Sequence, residues 1–223
     1  MRKKIIISFV LFFISNISFS KQQFSASRLD KLSGERKASF DTKSEWDQKY
    51  SRPSFIFGKA PVKFLAENYD HIPKNSTVLD MGMGEGRNAV FLAQKGHKVL
   101  GVDISSVAIK KARKLAKEFG VRIQGIVASL DKYKIKPGSL DAIICFYYVD
   151  RNLNEKIRRW LKPGGILIYE ADTILEFERG EQKREENNKK YYLQAQELLS
   201  MFPKMKVLKY EEPLHEKKFR ASI

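Results

Sequence analysis

The chain has 223 residues, 43% of them hydrophobic, with a formal net charge of +16 at neutral pH. That is enough for one well-packed domain with short appendages, and the single Cys145 excludes an internal disulfide framework or a cysteine-built metal cluster. The basic balance invites a polyanionic partner, but no cationic run is interleaved with aromatics as a base-stacking platform requires. The excess is therefore read as solvated, lysine-rich helix faces, and nucleic acid is not the expected partner. No HExxH, CxxC or paired-histidine spacing occurs, so no metal is expected.

Met1-Arg2-Lys3-Lys4 is a basic start, Ile5 to Ile14 is mostly apolar, and Ser18-Phe19-Ser20 offers small residues at a cleavage spacing. This is the layout of a secretory signal, residues 1–20, cut after Ser20, and its apolar part is short for a transmembrane span. Asn16 and Ile17 do not close the segment sharply, so an uncleaved anchor is the competing reading. The protein is expected to be exported if the signal is cut, and otherwise anchored or cytoplasmic, touching membrane only through this segment. Residues 21–44 are polar, rich in Ser and Lys, and read as a flexible linker, which leaves residues 45–223 as the folded domain.

Structure is expected to begin near Glu45-Trp46-Asp47, followed by a helix over Ala60 to Ala66 with Pro61 in its first turn. Strands and helices then alternate. Thr77 to Asp80 is a strand, Asn88 to Lys95 a helix closed by Gly96, and Lys98 to Asp103 the second strand. Ser105 caps a helix running to Phe119, with Val107, Ala108, Ala112, Leu115 and Phe119 on its apolar face. Arg122 to Val127 is a third strand, and Leu140 to Phe146 an almost wholly apolar fourth, as in a parallel sheet buried on both faces. A helix over Leu153 to Leu161, a tight Lys162-Pro163-Gly164-Gly165 turn and a strand over Ile166 to Glu170 follow. Tyr192 to Met201 reads as helix, Lys206 to Tyr210 as a sixth strand and Phe219 to Ile223 as a short seventh. The alternation predicts a three-layer α/β fold with a mostly parallel sheet and ligands at the carboxyl ends of its strands.

The densest signal is Val78-Leu79-Asp80-Met81-Gly82-Met83-Gly84-Glu85-Gly86-Arg87-Asn88, with Gly101-Val102-Asp103 after it. A strand ending in a carboxylate turns through three alternating glycines, and the next strand also ends in a carboxylate. Such glycines let backbone approach a ligand closely. A dinucleotide would set its pyrophosphate against Asp80 and be repelled, and the spacing is GxGxG, not GxGxxG, so a nicotinamide-dependent oxidoreductase is disfavoured. Asp80 and Glu85 suit an adenosine-bearing cofactor with a cationic amino group and no phosphate.

These residues, with Trp46-Asp47, Tyr50, Phe57-Gly58-Lys59-Ala60-Pro61, Phe146-Tyr147-Tyr148 and Leu161-Lys162-Pro163-Gly164-Gly165, resemble a class I S-adenosylmethionine-dependent methyltransferase. The branch they look most like is that of small bacterial tellurite-resistance and thiopurine-type enzymes. The resemblance implies a Rossmann-like, seven-stranded sheet with a short last strand, S-adenosyl-L-methionine as cofactor, and a monomer. It implies that Asp80, Gly82, Gly84 and Gly86 surround the methionine portion, with Asp80 near the ammonium. Asp103 would take the ribose hydroxyls, Ile104 the adenine face, Ser129 and Leu130 the adenine edge, and Phe146 the sulfonium end. Family members often carry Asp where Ser129 stands, so a weaker grip on the adenine amino group is expected here.

Methyl transfer from a sulfonium is an in-line displacement in which the protein supplies proximity and alignment. The acceptor is expected to be a small molecule, such as a thiol or other soft nucleophile, beside Tyr147, Tyr148, Asp150 and Arg151. The Asn/Asp-Pro-Pro-Tyr/Phe motif that grips a planar amino group is absent. The alternative from another class is an exported binding module that keeps the fold without transfer. His71, at the end of a predicted helix before Ile72-Pro73, is read as a surface histidine, and His97 and His215 show no partner in sequence.

Overall fold

The computed structural model describes residues 42–179, 186–212 and 219–223. The signal-like segment and residues 21–41 of the linker lie outside the described residues, as does His215.

The first element, α1 (Thr42–Tyr50), begins slightly before the expected domain start. It is short but locally supported: Lys43 pairs with Asp47 at 2.5 Å and Trp46 stacks on Tyr50 at 5.4 Å between ring centroids, both at helical i,i+4 spacing. Next comes α2 (Lys63–Asn68), which starts later than expected, after the extended Val62. Its Phe64 and Leu65 are buried against the sheet.

Then β1 (Thr77–Met81), α3 (Arg87–Gln94), β2 (Lys98–Asp103), α4 (Ser106–Glu118), β3 (Gln124–Val127) and β4 (Leu140–Phe146) follow in alternation. They are succeeded by α5 (Asn154–Trp160), β5 (Leu161–Asp172), α6 (Ile174–Arg179), α7 (Glu197–Met201) and β6 (Arg220–Ser222). The sheet order is β3-β2-β1-β4-β5-β6, parallel except for the antiparallel β6. The winding reverses between β1 and β4, so the cleft past their carboxyl ends is the place where a ligand fits such a sheet.

β4 is buried on both faces. Ile143 and Cys145 join one apolar cluster with Trp160 and Tyr169, while Ala142, Ile144 and Phe146 join the other with Phe64 and Leu65. In α4 the Ser105 hydroxyl caps the helix by accepting the Ala108 N–H at 3.1 Å. Its buried face is Ala108, Ile109, Ala112, Leu115 and Ala116, turned slightly from the expected one, and Phe119 is left 41% exposed.

The seven-stranded expectation is corrected: six strands form among the described residues. Lys206 to Tyr210 runs outside the ladder, and only the neighbouring Glu211 bridges to Ser222. β6 offers three residues, too few to template a full partner strand, and Val207 and Leu208 stay exposed. Expected helix over Tyr192 to Met201 is reduced to α7. The Lys162–Gly165 turn survives as an outward loop inside β5: Leu140 pairs with Leu161 and Ala142 already with Ile166.

Candidate methyl-donor and acceptor site

The glycine loop leaves β1 and folds back over β2, where the Gly82 and Met83 N–H groups both donate to the Val102 carbonyl, at 2.9 and 3.2 Å. Gly84 has φ of +52°, and a Cβ there would lie 2.8 Å from the Tyr50 hydroxyl oxygen. Gly86, at φ +85°, would place its Cβ 2.7 Å from that of Ala112. Both positions therefore demand glycine twice over, for backbone sign and for space. Gly82 lies under the Tyr148 ring, 3.2 Å from where its own Cβ would be.

Asp80 is 2% exposed, and its Oδ2 has no hydrogen-bond partner. Burial, then the nearby Asp103 charge, push its carboxyl up to about 8, against the opposing pull of the Ala89 N–H and Arg87. Asp103, at the end of β2, accepts the Gly84 N–H on Oδ2 and the Ser105 N–H on Oδ1, each at 2.8 Å. Burial still raises it. Each of its oxygens keeps a lone pair for a ligand.

Glu85 does not serve the site as the loop sequence suggests. Its Oε1 takes the Lys111 ammonium and its Oε2 the Ile56 N–H, both at 2.8 Å. Lys111 also donates to the carbonyls of Arg52 and Ser54. This acid is spent on tying residues 52–56 to α4.

Tyr50, 5% exposed, closes the loop from above, its phenol raised by burial and by Asp103 and Glu85. Asp47 docks its helix on α4, accepting the Ser105 hydroxyl at 2.6 Å and the Val107 N–H at 3.2 Å. Hydrogen bonds from Lys43 and Ser105 hold the Asp47 carboxyl at about 2.

At the residues that the resemblance places around the adenine, Ile104 is half-buried, and the Ala128 N–H donates to the Asp103 carbonyl at 2.9 Å. The Ser129 hydroxyl donates to the Asp131 carboxylate. Leu130 is 4% exposed and belongs to the central apolar cluster.

On the acceptor side, Phe146 is enclosed with Val62, Phe64 and Leu65 as a core residue. Tyr147 has φ of +59°, rare for a side chain of its size. Glu170 holds it there: the Tyr147 N–H donates to the Glu170 carbonyl at 2.8 Å and the phenol to Oε1 at 2.5 Å. Burial raises the phenols of both Tyr147 and Tyr148. Asp150 and Arg151 both make contacts within the fold. Asp150 accepts the Asn152 N–H at 3.1 Å, and Arg151 grips Glu197 through two nitrogens, at 2.5 and 2.9 Å. Cys145 is buried and its thiol is pushed up by burial. His71 is exposed, and His97 sits at the far end of β2.

Sequence reasoning did not assign Tyr50, Arg87, Glu170 or Arg220 a place here. Arg87 stands directly after the third glycine, which is a usable signal. Glu170 and Arg220 are united only by the β5–β6 pairing.

Sheet order, glycine loop and the two strand-end acids define a class I S-adenosylmethionine-dependent methyltransferase fold. Residues 78–165 match the family model described as a methyltransferase domain. The chain is 31% identical to the tRNA 5-carboxymethoxyuridine methyltransferase of Escherichia coli K12, over 57% of this chain and 56% of that protein. The chain thus spans about half the length of the curated relatives it matches. A methyltransferase structure from Geobacter sulfurreducens, in complex with S-adenosyl-L-homocysteine, aligns with TM-score 0.56 at 20% identity, over 75% of this chain and 73% of that one. One from Aquifex aeolicus aligns with TM-score 0.57 at 17% identity, over 82% and 98%. The residues present fit S-adenosylmethionine: Asp80 Oδ2 is a buried acceptor awaiting a donor, and Gly84 and Gly86 keep the loop free of side chains.

Proposed function

We propose that this protein transfers a methyl group from S-adenosylmethionine to a small-molecule acceptor. The observation that carries the reading is Asp80, a buried carboxylate with one unpartnered oxygen beside a second buried acid. Such a pair repels a pyrophosphate and is stabilised by a cation.

When bound, the sulfonium supplies an already activated methyl group. The work of the chain is then placement. Asp80 offers Oδ2 to the ammonium, and Asp103 offers its remaining lone pairs to the ribose hydroxyls. Gly82, Gly84 and Gly86 allow backbone to approach the methionine portion. Ile104, Ser129 and Leu130 border the adenine, and Phe146 backs the reacting end through the core. Tyr147 and Tyr148 shape the acceptor side. Their raised phenols suit hydrogen-bond donation better than proton abstraction, so an acceptor already ionised at neutral pH is favoured.

Calorimetric titration with S-adenosylmethionine and with NADH tests the reading. Micromolar binding of the methyl donor and none of NADH is expected, and binding of NADH alone would overturn it. A second reading takes an RNA acceptor, favoured by the net charge of +16 and by the tRNA named for the Escherichia coli relative. Methyl transfer from labelled donor to bulk tRNA, against a metabolite extract, separates the two. Among the described residues no helix is long and apolar enough to cross a membrane. We propose that residues 1–20 direct export, a role checked by cell fractionation and N-terminal sequencing of the mature chain.

A further inference from the structure

Two large aromatic side chains are exposed beside the acceptor cleft, Phe57 at 47% and Tyr147 at 37%. Between them stands Arg87, its guanidinium carbon 5.8 Å from the Phe57 ring centroid and 5.9 Å from that of Tyr147. One of its nitrogens donates to the Phe57 carbonyl at 2.8 Å. Among the described residues Arg87 has no ion-pair partner. Its charge acts on both Asp80 and Tyr147, which places it at the junction of the donor and acceptor sides.

Arg220 makes the contrast. It also lies over the Tyr147 ring, at 5.0 Å, but it is spent on Glu170 and Asp172, at 3.5 and 3.4 Å. Glu170 in turn takes the Tyr147 phenol and the Ser222 hydroxyl. That network holds Tyr147 in its uncommon backbone conformation, whereas Arg87 makes no ion pair among the described residues; Lys49, the other cation over the Phe57 ring at 5.3 Å, lies also over Trp46 at 4.3 Å. A guanidinium is a planar fork matched to a carboxylate, and aromatic rings on its flanks offer stacking area to a flat molecule.

Resting on the methyl-transfer reading above, we propose that Arg87 anchors a carboxylate of the acceptor, and that the acceptor is a planar aromatic or conjugated carboxylic acid lying against Tyr147 and Phe57. The anchor would hold the acceptor at the mouth with its far side turned toward the methyl group.

The test uses the full chain saturated with S-adenosylhomocysteine, with benzoate as probe and benzamide as its neutral isostere. Benzoate is expected to bind at least about tenfold more tightly than benzamide. Arg87→Gln should erase the preference while S-adenosylhomocysteine still binds, and Arg87→Lys should restore part of it. Equal binding of the two probes by the unaltered protein, or no benzoate binding, overturns the proposal. So does an Arg87→Gln protein that keeps the preference. Because S-adenosylhomocysteine binding is measured first, failure of the cofactor reading shows separately. The comparison of probes on the unaltered protein stands even if the variant does not fold.

Discussion

Lys111 on α4 reaches Glu85 in the glycine loop at 2.8 Å, and the two side chains are 15% and 3% exposed. The pair is the knot through which residues 52–56, the loop and α4 are held in one arrangement, because Lys111 also caps two carbonyls and Glu85 an N–H of that segment. Glu85→Gln leaves the buried ammonium without its counter-charge. A loss of about 3 kcal/mol in urea unfolding is expected. Glu85→Gln combined with Lys111→Met should recover part of it, and full additivity would argue against coupling.

Tyr50 and Gly84 meet in the same way at the other side of the loop. Gly84→Ala introduces a Cβ 2.8 Å from the Tyr50 hydroxyl at φ of +52°. About 2 kcal/mol of destabilisation is expected, from backbone strain and displacement of Tyr50 together. Removing the hydroxyl, in Tyr50→Phe with Gly84→Ala, should return the steric part and leave the backbone part. Thermal unfolding of the four proteins measures both.

Asp80 titrates near 8 in the fold, against an ordinary value of 3.8. Between those values the folded state holds a proton that the unfolded chain has released, so stability falls as pH rises through that window. The ligand-free protein should lose on the order of a few kcal/mol between pH 4 and 8 from this group. Asp80→Asn should flatten that decline and abolish cofactor binding. Binding of S-adenosylmethionine at pH 7 should release close to one proton per site, seen as a dependence of binding heat on buffer ionisation. No such dependence would contradict an ammonium contact at Asp80.

Asp103 serves backbone and ligand together. Asp103→Ala orphans the buried N–H groups of Gly84 and Ser105, so both stability and cofactor affinity should fall, the latter by at least about tenfold. Asp103→Asn keeps an acceptor and should retain more of the fold than of the affinity. A variant that binds the donor as tightly as the unaltered protein would remove Asp103 from the site.

The elements with strong local signals are legible in the sequence. The apolar run of β4, the Ser105 cap of α4 and the alternation from residue 77 to 172 follow from periodicity and punctuation. The last third was less legible. Lys206 to Tyr210 has strand-like alternation, but strand formation needs a partner edge, and β6 is only three residues long. Whether a sequence pairs is decided by what lies beside it.

The site divides along the same line. Sequence by itself determined that two carboxylates end adjacent strands around an alternating-glycine turn, because spacing along a strand–turn–helix unit is a local property. The acid before the turn also disfavoured a pyrophosphate-bearing cofactor there. Only the tertiary structure decided which of these groups remain available: Glu85 is neutralised by Lys111 from another helix and Arg220 by acids on β5, while Asp80 Oδ2 is left without a hydrogen-bond partner and Arg87 without an ion pair among the described residues. Charge is written in the residue, but its neutralisation depends on neighbours brought together by packing, and no local pattern records those.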